Sequence, residues 1–261
     1  MSDQGLVSIS NSDGSWVEEI PNAGLLEEFG RGYMSHITQI GDVLFACGAG
    51  AQLYTRHSSG EWVDVVPETT LAEQGRNSGN MGQILSGEID LRAAVTALQQ
   101  RKDFNFLAEG NEGDVLIGGS FGLIAQVKQG IYRDFQLKDE PEIVFLEAMQ
   151  DDSSIVAVGT VSRSVAVYKG SLGDGLFRVG KSGETMSASA AVFWKDTLYI
   201  GTSLGLFRFR DNVFSKVSLG RNKAEPVVAL SSVGEVLWIV TSDMLYRLDN
   251  NEIKAIPKPE E

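Results

Sequence analysis

Two short stretches of the sequence place a serine between glycines in the pattern G-x-S-x-G. They are "GGSFG" and "GTSLG", with Ser120 and Ser203 at their centres. In one group of serine hydrolases this pattern holds a nucleophilic serine at a sharp turn between a strand and a helix. The first question is therefore whether the chain has the rest of a hydrolytic site.

The rest of such a site is missing from the sequence. A nucleophilic serine needs a general base, and the chain has two histidines, His36 and His57. Both precede both serines, which is the reverse of the order in that group of enzymes. The residues after the serines, "LIAQV" and "LFRFR", alternate as strands do and do not show a helical period. We therefore predict no catalytic residue.

Other catalytic or ligand-binding motifs are also missing. The sequence contains no phosphate-binding G-x-x-x-x-G-K-[ST] loop and no G-x-G-x-x-G that opens a helix. The acidic stretches at 139–142 and 151–152 lack the spacing of a calcium-binding loop. Cys47 is the one cysteine and is expected to be a packed thiol. We predict no cofactor and no metal.

The elements around these serines recur along the chain. Apolar runs that end in small residues begin at Val43, Val115, Ile155, Thr197 and Leu237, at spacings of 72, 40, 42 and 40 residues. A period near 40 is typical of solenoids, arrays and propellers. Each unit contains four short strand-like segments separated by turn residues, and the second segment is almost entirely apolar.

This pattern resembles the β-propeller superfamily, in which four antiparallel strands form one blade. The resemblance implies an all-β fold made as a single propeller domain over 1–261, and the chain length suits six blades. A pair of packed β-sheets is the alternative. The predicted parts are an outer hairpin at 6–21, units at about 36–67, 104–137, 143–180, 188–219 and 227–257, and an insert at 68–103. The insert is predicted to be a loop with a short helix from Asp90 to Arg101, and a degenerate blade is the alternative.

The net charge of the chain is −13 and is unevenly distributed. Residues 103–152 contain 11 acidic and 3 basic side chains, whereas residues 181–261 contain 10 of each. An acidic field repels nucleic acid and anionic lipid and attracts basic proteins. We therefore expect a basic protein partner and no binding to nucleic acid or membrane. Solubility alone is the alternative explanation of the charge.

Location and assembly follow from simpler features. No run of apolar residues is long enough to span a bilayer, the first residues do not resemble a secretion signal, and disulfides cannot form within the chain. These features predict a cytoplasmic protein. We also expect a monomer when no partner is bound.

The turns between the second and third strands are the predicted contact surface, because in a propeller they share a face with the connections between blades. Phe121 and Leu204 are apolar residues at such turns, where burial is not required. The other predicted partner-binding residues lie in the same turns or in the acidic connection, and are Arg163, Asp139, Glu140, Glu142 and Asp243.

Three functions remain open at this stage. The first is a protein-binding propeller without enzymatic activity. The unit "IGDVLFACGAGAQLYTRHSSGEWVDV" is similar to bacterial propeller proteins that occur beside secreted toxins, which implies an immunity protein that neutralises a toxin. The second is a hydrolase or lyase that acts in the central channel of the propeller. The third is a structural component of a phage or secretion assembly.

Overall fold

The computed structural model describes residues 1–2, 4–11, 14–21, 23, 32–58, 60–65, 103–129, 131–149, 154–220, 225–250 and 252–257. Apart from two single-turn 3-10 helices, Asn111–Gly113 and Ser120–Gly122, the regular structure of these residues is β-strand. The chain divides into two compact units, Met1–Glu140 and Pro141–Glu261.

In unit 1 the described residues form one hairpin and two four-stranded sheets, which we call blades 1 and 2. The hairpin pairs β1 (Leu6–Asn11) with β2 (Gly14–Glu19). Blade 1 is formed by β3 (Met34–Ile40), β4 (Val43–Gly48), β5 (Gln52–Arg56) and β6 (Trp62–Asp64). Blade 2 is formed by β7 (Phe104–Glu109), β8 (Val115–Gly119), β9 (Leu123–Lys128) and β10 (Ile131–Gln136).

Unit 2 contains three further blades of four strands each. Blade 3 is formed by β11 (Glu142–Ala148), β12 (Ile155–Val161), β13 (Ser164–Ser171) and β14 (Gly175–Lys181). Blade 4 is formed by β15 (Ala188–Trp194), β16 (Thr197–Thr202), β17 (Gly205–Arg210) and β18 (Val213–Val217). Blade 5 is formed by β19 (Val227–Val233), β20 (Val236–Thr241), β21 (Leu245–Asp249) and β22 (Glu252–Ile256). In every blade, strands that follow one another along the chain pair antiparallel.

The apolar second strands form the centre of each blade. All residues of β8 and β16 are buried, as is typical of a nearly continuous apolar strand that is covered on both faces. The first strand of each blade lies innermost, since β3 contacts β7 in unit 1, and β15 contacts both β11 and β19 in unit 2. Because the first and second strands pair antiparallel, the turn after the second strand lies beside the start of the first strand.

A β-bulge occurs at the same place in all five blades. In each first strand the pairing with the second strand shifts by one residue near the start, between Met34/His36, Phe104/Phe106, Ile143/Phe145, Ala188/Ala190 and Val227/Ala229. A bulge bends its strand and re-aims the side chains beside it. The blades therefore share the register of their first and second strands as well as their strand order.

The structure confirms an all-β chain made of four-stranded antiparallel blades, but the predicted number of six blades is wrong. The described residues form five such blades and one two-stranded hairpin. Dividing the chain length by about 40 counted the N-terminal hairpin as part of a sixth blade, whereas among the described strands β1 pairs with β2 alone. The predicted helix at 90–101 lies outside the described residues.

Candidate functional site

The turns that carry the two serines lie between the second and third strands of their blades. Ser120 begins a 3-10 turn that leads into β9, and Ser203 lies in a two-residue turn that leads into β17. The side-chain amide of Asn105 donates to Ser120 Oγ at 3.4 Å, and Ser187 N–H donates to Ser203 Oγ at 3.1 Å. A strand follows each serine, so neither turn is a nucleophile elbow.

His36 joins the inner strands of blades 1 and 2. Its Nδ1 accepts a hydrogen bond from Leu107 N–H at 3.2 Å. Its ring also contacts the ring of Phe106, with 4.5 Å between the ring centroids. Burial lowers the pKa of His36, because the charged imidazolium loses hydration. This histidine therefore has a structural position within unit 1, whereas the side chain of His57 is exposed.

Cys47 is a packed thiol, as the sequence predicts. It is fully buried on β4, and its Sγ–H donates to Phe104 O at 3.6 Å. Burial raises the pKa of this thiol far above its usual range. The reactive form of cysteine is the thiolate, which this buried environment disfavours.

Phe121 lies at the tip of the turn after β8, with 40% of its surface exposed. Its φ of 55° and ψ of 33° place it in the left-handed region, which is uncommon for a bulky residue. The last residue of β10 and the residue after it hold this turn in place. Gln136 Nε2 donates to Phe121 O at 2.8 Å, and Leu137 N–H donates to Gly122 O at 2.9 Å.

The acidic connection after β10 contains three predicted partner-binding residues. Asp139 is half-buried, whereas Glu140 and Glu142 are exposed. Glu140 N–H donates to Leu137 O at 3.1 Å, and Glu140 has a φ of 50°. Glu142 opens β11 in unit 2 and pairs there with Thr160. Phe121 and Glu140 thus lie on one hydrogen-bonded segment of unit 1.

In unit 2, the turn between β12 and β13 presents Arg163 to solvent. Ser162 and Arg163 have φ values of 47° and 61°, as a two-residue hairpin turn of type I′ requires. Met186 N–H, in the connection to blade 4, donates to Arg163 O at 2.8 Å. The turn therefore contacts the connection between two blades.

The other two turns of unit 2 are held by threonines at the ends of their second strands. Leu204 N–H donates to Thr202 Oγ1 at 3.1 Å, and Asp243 N–H donates to Thr241 Oγ1 at 3.4 Å. Asp243 is exposed, but Leu204 is half-buried. Leu204 therefore offers less apolar surface than Phe121 does.

In the described part of the chain, no three His, Cys, Asp or Glu side chains converge. Asp114 is buried and accepts a hydrogen bond from the side-chain amide of Gln126. Residues 151–152, which the sequence raised as a second acidic stretch, lie outside the described residues.

Sequence reasoning did not single out two carboxylates. Glu147 is half-buried on β11, the innermost strand of blade 3, and burial raises its pKa. Glu225 is buried before β19 and accepts a hydrogen bond from the Tyr246 hydroxyl at 2.8 Å. The alternation of β11 predicts that Glu147 lies in a strand, but no local pattern distinguishes either residue from the many solvated glutamates of this chain.

Comparisons with known proteins show similarity of structure only. No protein-family model matches the sequence, and no curated protein matches it either. Within the described residues, no helix has the length and apolar character needed to cross a membrane.

Solved structures resemble the chain closely in fold but not in sequence. A catalytically inactive variant of virginiamycin B lyase from Staphylococcus aureus, solved with quinupristin, has a TM-score of 0.68 at 14% identity, covering 97% of this chain and 78% of that one. YCF48 from Cyanidioschyzon merolae has a TM-score of 0.65 at 12% identity, covering 97% and 79%.

PorZ, a surface component of the type-IX secretion system of Porphyromonas gingivalis, has a TM-score of 0.61 at 11% identity. The match covers 95% of this chain and 37% of PorZ, so the chain spans little more than a third of that protein. Identities this low show the fold alone. Together with the repeated four-stranded sheets, they show that the chain is a β-propeller with blades of four antiparallel strands.

Proposed function

We propose that this protein is a non-enzymatic propeller that binds a protein partner through the turns between the second and third strands of its blades. The observation that carries the proposal is Phe121, an exposed aromatic side chain in a left-handed backbone conformation. A left-handed conformation costs a residue with a Cβ about 1–2 kcal/mol. Strained residues that persist on a surface are typical of binding and active sites.

Two features of the turn support a binding role. Its backbone is already fixed by hydrogen bonds from Gln136 and Leu137, so little further ordering is needed when a partner binds. The exposed ring offers the kind of apolar anchor that dominates binding energy at protein interfaces. Rigid turns on a stable scaffold commonly carry such contacts.

The partner we propose is basic, because the chain has a net charge of −13 and residues 103–152 carry a net charge of −8 from 11 acidic and 3 basic side chains. The narrower form of the proposal is a cytoplasmic immunity protein that neutralises a toxin. We expect such a protein to bind the product of the neighbouring gene at micromolar concentration and low salt. Titration of the two purified proteins tests this form, and no binding would reject it.

The binding surface itself is tested by selecting phage-displayed random peptides on the immobilised protein. Enriched peptides should bind wild type and lose affinity for Phe121→Ala. The matched control is Ile131→Ala, which removes an apolar side chain of unit 1 that is 58% exposed on an outer strand. Equal affinity for wild type and Phe121→Ala would show that the turn is not the binding surface.

A second function is favoured by one specific observation. Glu147 combines a raised pKa with a position on the innermost strand of its blade, as a general acid or base in a channel enzyme would. The fold is shared with a lyase that was solved with quinupristin. Incubation of the protein with quinupristin, followed by mass spectrometry, tests this function. Product formed by wild type and lost in Glu147→Gln would support it, and an unchanged compound would argue against it.

A further inference from the structure

Phe121 and Glu140 both have a left-handed backbone conformation, with φ of 55° and 50°, although neither residue type favours it. Several non-glycine residues with positive φ form two-residue hairpin turns, in which the type I′ geometry demands it, as at 162–163, 195–196 and 211–212. Phe121 and Gly122 are likewise the central residues of such a turn, closed by Leu123 N–H donating to Ser120 O, but Gly, Asn or Asp is usual there and phenylalanine is not. Glu140 instead lies in a connection between blades. Glu140 also precedes Pro141, where extended backbone is preferred.

Hydrogen bonds join these two residues into one rigid segment. The side-chain amide of Gln136 and the backbone N–H of Leu137 donate to the carbonyls of Phe121 and Gly122 at 2.8 and 2.9 Å. Glu140 N–H then donates to Leu137 O at 3.1 Å. Leu137 is 5% exposed and therefore anchors the segment in unit 1. The segment fixes the backbone at both residues while their side chains stay exposed.

From this arrangement we propose that Phe121 and Glu140 together recognise a cationic segment of a protein partner that carries an apolar side chain next to a Lys or Arg. The proposal rests on the proposed function and specifies its partner. Phe121 supplies the apolar contact, and the Glu140 carboxylate pairs with the cation.

Charge complementarity supports a cationic occupant. The chain has a net charge of −13, and Glu140 follows a second acidic residue, Asp139, in this segment. An opposite charge on the partner would be attracted to this region before contact and would bind faster at low salt. An anionic partner would have to approach against the same field.

The first test uses random linear peptides displayed on phage and selected on the wild-type protein. We expect enriched peptides to contain Lys or Arg near Leu, Ile, Phe, Tyr or Trp. The best peptide is then titrated against wild type, Phe121→Ala, Glu140→Gln and Ile131→Ala at low and high salt. We expect Phe121→Ala and Glu140→Gln each to lower the affinity for the peptide about tenfold, and Ile131→Ala to leave it unchanged. We also expect wild type to bind the peptide more weakly at high salt.

The outcomes separate this inference from the proposed function. If Phe121→Ala loses affinity for the peptide, Glu140→Gln does not, and salt has no effect, recognition by the pair is overturned. The proposed function of the turn at Phe121 would then still stand. If neither variant loses affinity for the peptide, both the paired recognition and the proposed function are overturned. Enrichment of peptides without cationic residues would also overturn the inference.

A second test measures backbone strain and needs no partner. Glycine adopts the left-handed conformation freely, whereas alanine keeps the Cβ that makes it costly. We expect Glu140→Gly to unfold at a higher urea concentration than Glu140→Ala, and Phe121→Gly at a higher concentration than Phe121→Ala. Equal or reversed midpoints would show that neither position is strained, which would remove the observation that singles out this pair.

Discussion

The guanidinium of Arg56 binds both carboxylate oxygens of Glu18, with N–O distances of 2.6 Å from Nε to Oε2 and from Nη2 to Oε1. Arg56 ends β5 in blade 1 and Glu18 lies on β2 of the N-terminal hairpin, so this pair fastens the hairpin to the blade. The side chains are only 14% and 19% exposed. Arg56 lowers the pKa of Glu18, and Glu18 raises the pKa of Arg56.

Replacing Arg56 by lysine should therefore destabilise the protein. Lysine keeps the charge but cannot form the two parallel hydrogen bonds. We expect Arg56→Lys to lower the free energy of unfolding by about 1–2 kcal/mol, measured by urea denaturation. Lys254→Arg is the control, because Lys254 pairs with Glu252 on the surface. A stability equal to wild type in Arg56→Lys would show that the bidentate pair does not fasten the hairpin.

Stability should also depend on pH through His36. Burial lowers the pKa of His36 below the value of 6.5 for a free side chain, so the unfolded state binds more protons than the folded state just below that pH. The contribution of His36 is therefore complete above pH 6.5 and is lost as the pH falls towards the folded pKa.

The measurement for His36 is urea denaturation over a series of pH values. We expect His36→Phe to remove part of the loss of stability seen in wild type below pH 6.5, and His57→Gln to retain it, because His57 is exposed. The same pH dependence in His36→Phe and wild type would contradict the assignment.

Gly48 allows two segments of backbone to approach closely in blade 1. A Cβ at this position would lie 2.3 Å from Tyr33 O and 2.9 Å from the Met34 Cα. Because these are backbone atoms, Gly48→Ala must shift the chain, and we expect it to lower the free energy of unfolding by about 1–3 kcal/mol. Gly183→Ala is the matched control, since no atom lies within 4 Å of its added Cβ. Equal denaturation midpoints for the two variants would contradict this account.

A buried carboxylate in blade 5 gives a further prediction. Tyr246 Oη donates to Glu225 Oε2 at 2.8 Å, and the Thr241 hydroxyl lies 3.3 Å from the same oxygen. Tyr246→Phe removes one hydrogen bond to this carboxylate, and we expect a loss of about 1.5–3 kcal/mol in the free energy of unfolding. Tyr199→Phe is the control, because the Tyr199 hydroxyl bonds to none of the described residues. A similar loss in both variants would show that the bond to Glu225 is not responsible.

Local pattern predicted most of the fold. The strands of the blades were predictable because alternation and turn residues act over a few neighbouring positions, as in "LFRFR" of β17. Glycines of "CGAG" and "GGSFG" lie in turns or at close approaches of the backbone. Gly48 and Gly119 would each place a Cβ 2.3 Å from a carbonyl oxygen of a preceding segment.

The features that the sequence did not predict depend on contacts between distant positions. Arg56 and Glu18 are 38 residues apart, and nothing in the local pattern of either strand pairs them. The burial of Glu225 depends on Tyr246, which is 21 residues away. The strain at Glu140 was hidden as well, since neither glutamate nor a residue before proline favours positive φ.

The central claim is that the turn at Phe121 binds a protein partner. Its most direct test is the affinity of a peptide selected on wild type, measured in parallel for wild type, Phe121→Ala and Ile131→Ala. We expect Phe121→Ala to weaken binding about tenfold while Ile131→Ala binds as wild type does. Equal affinity for wild type and Phe121→Ala, or equal losses in both variants, would contradict the claim.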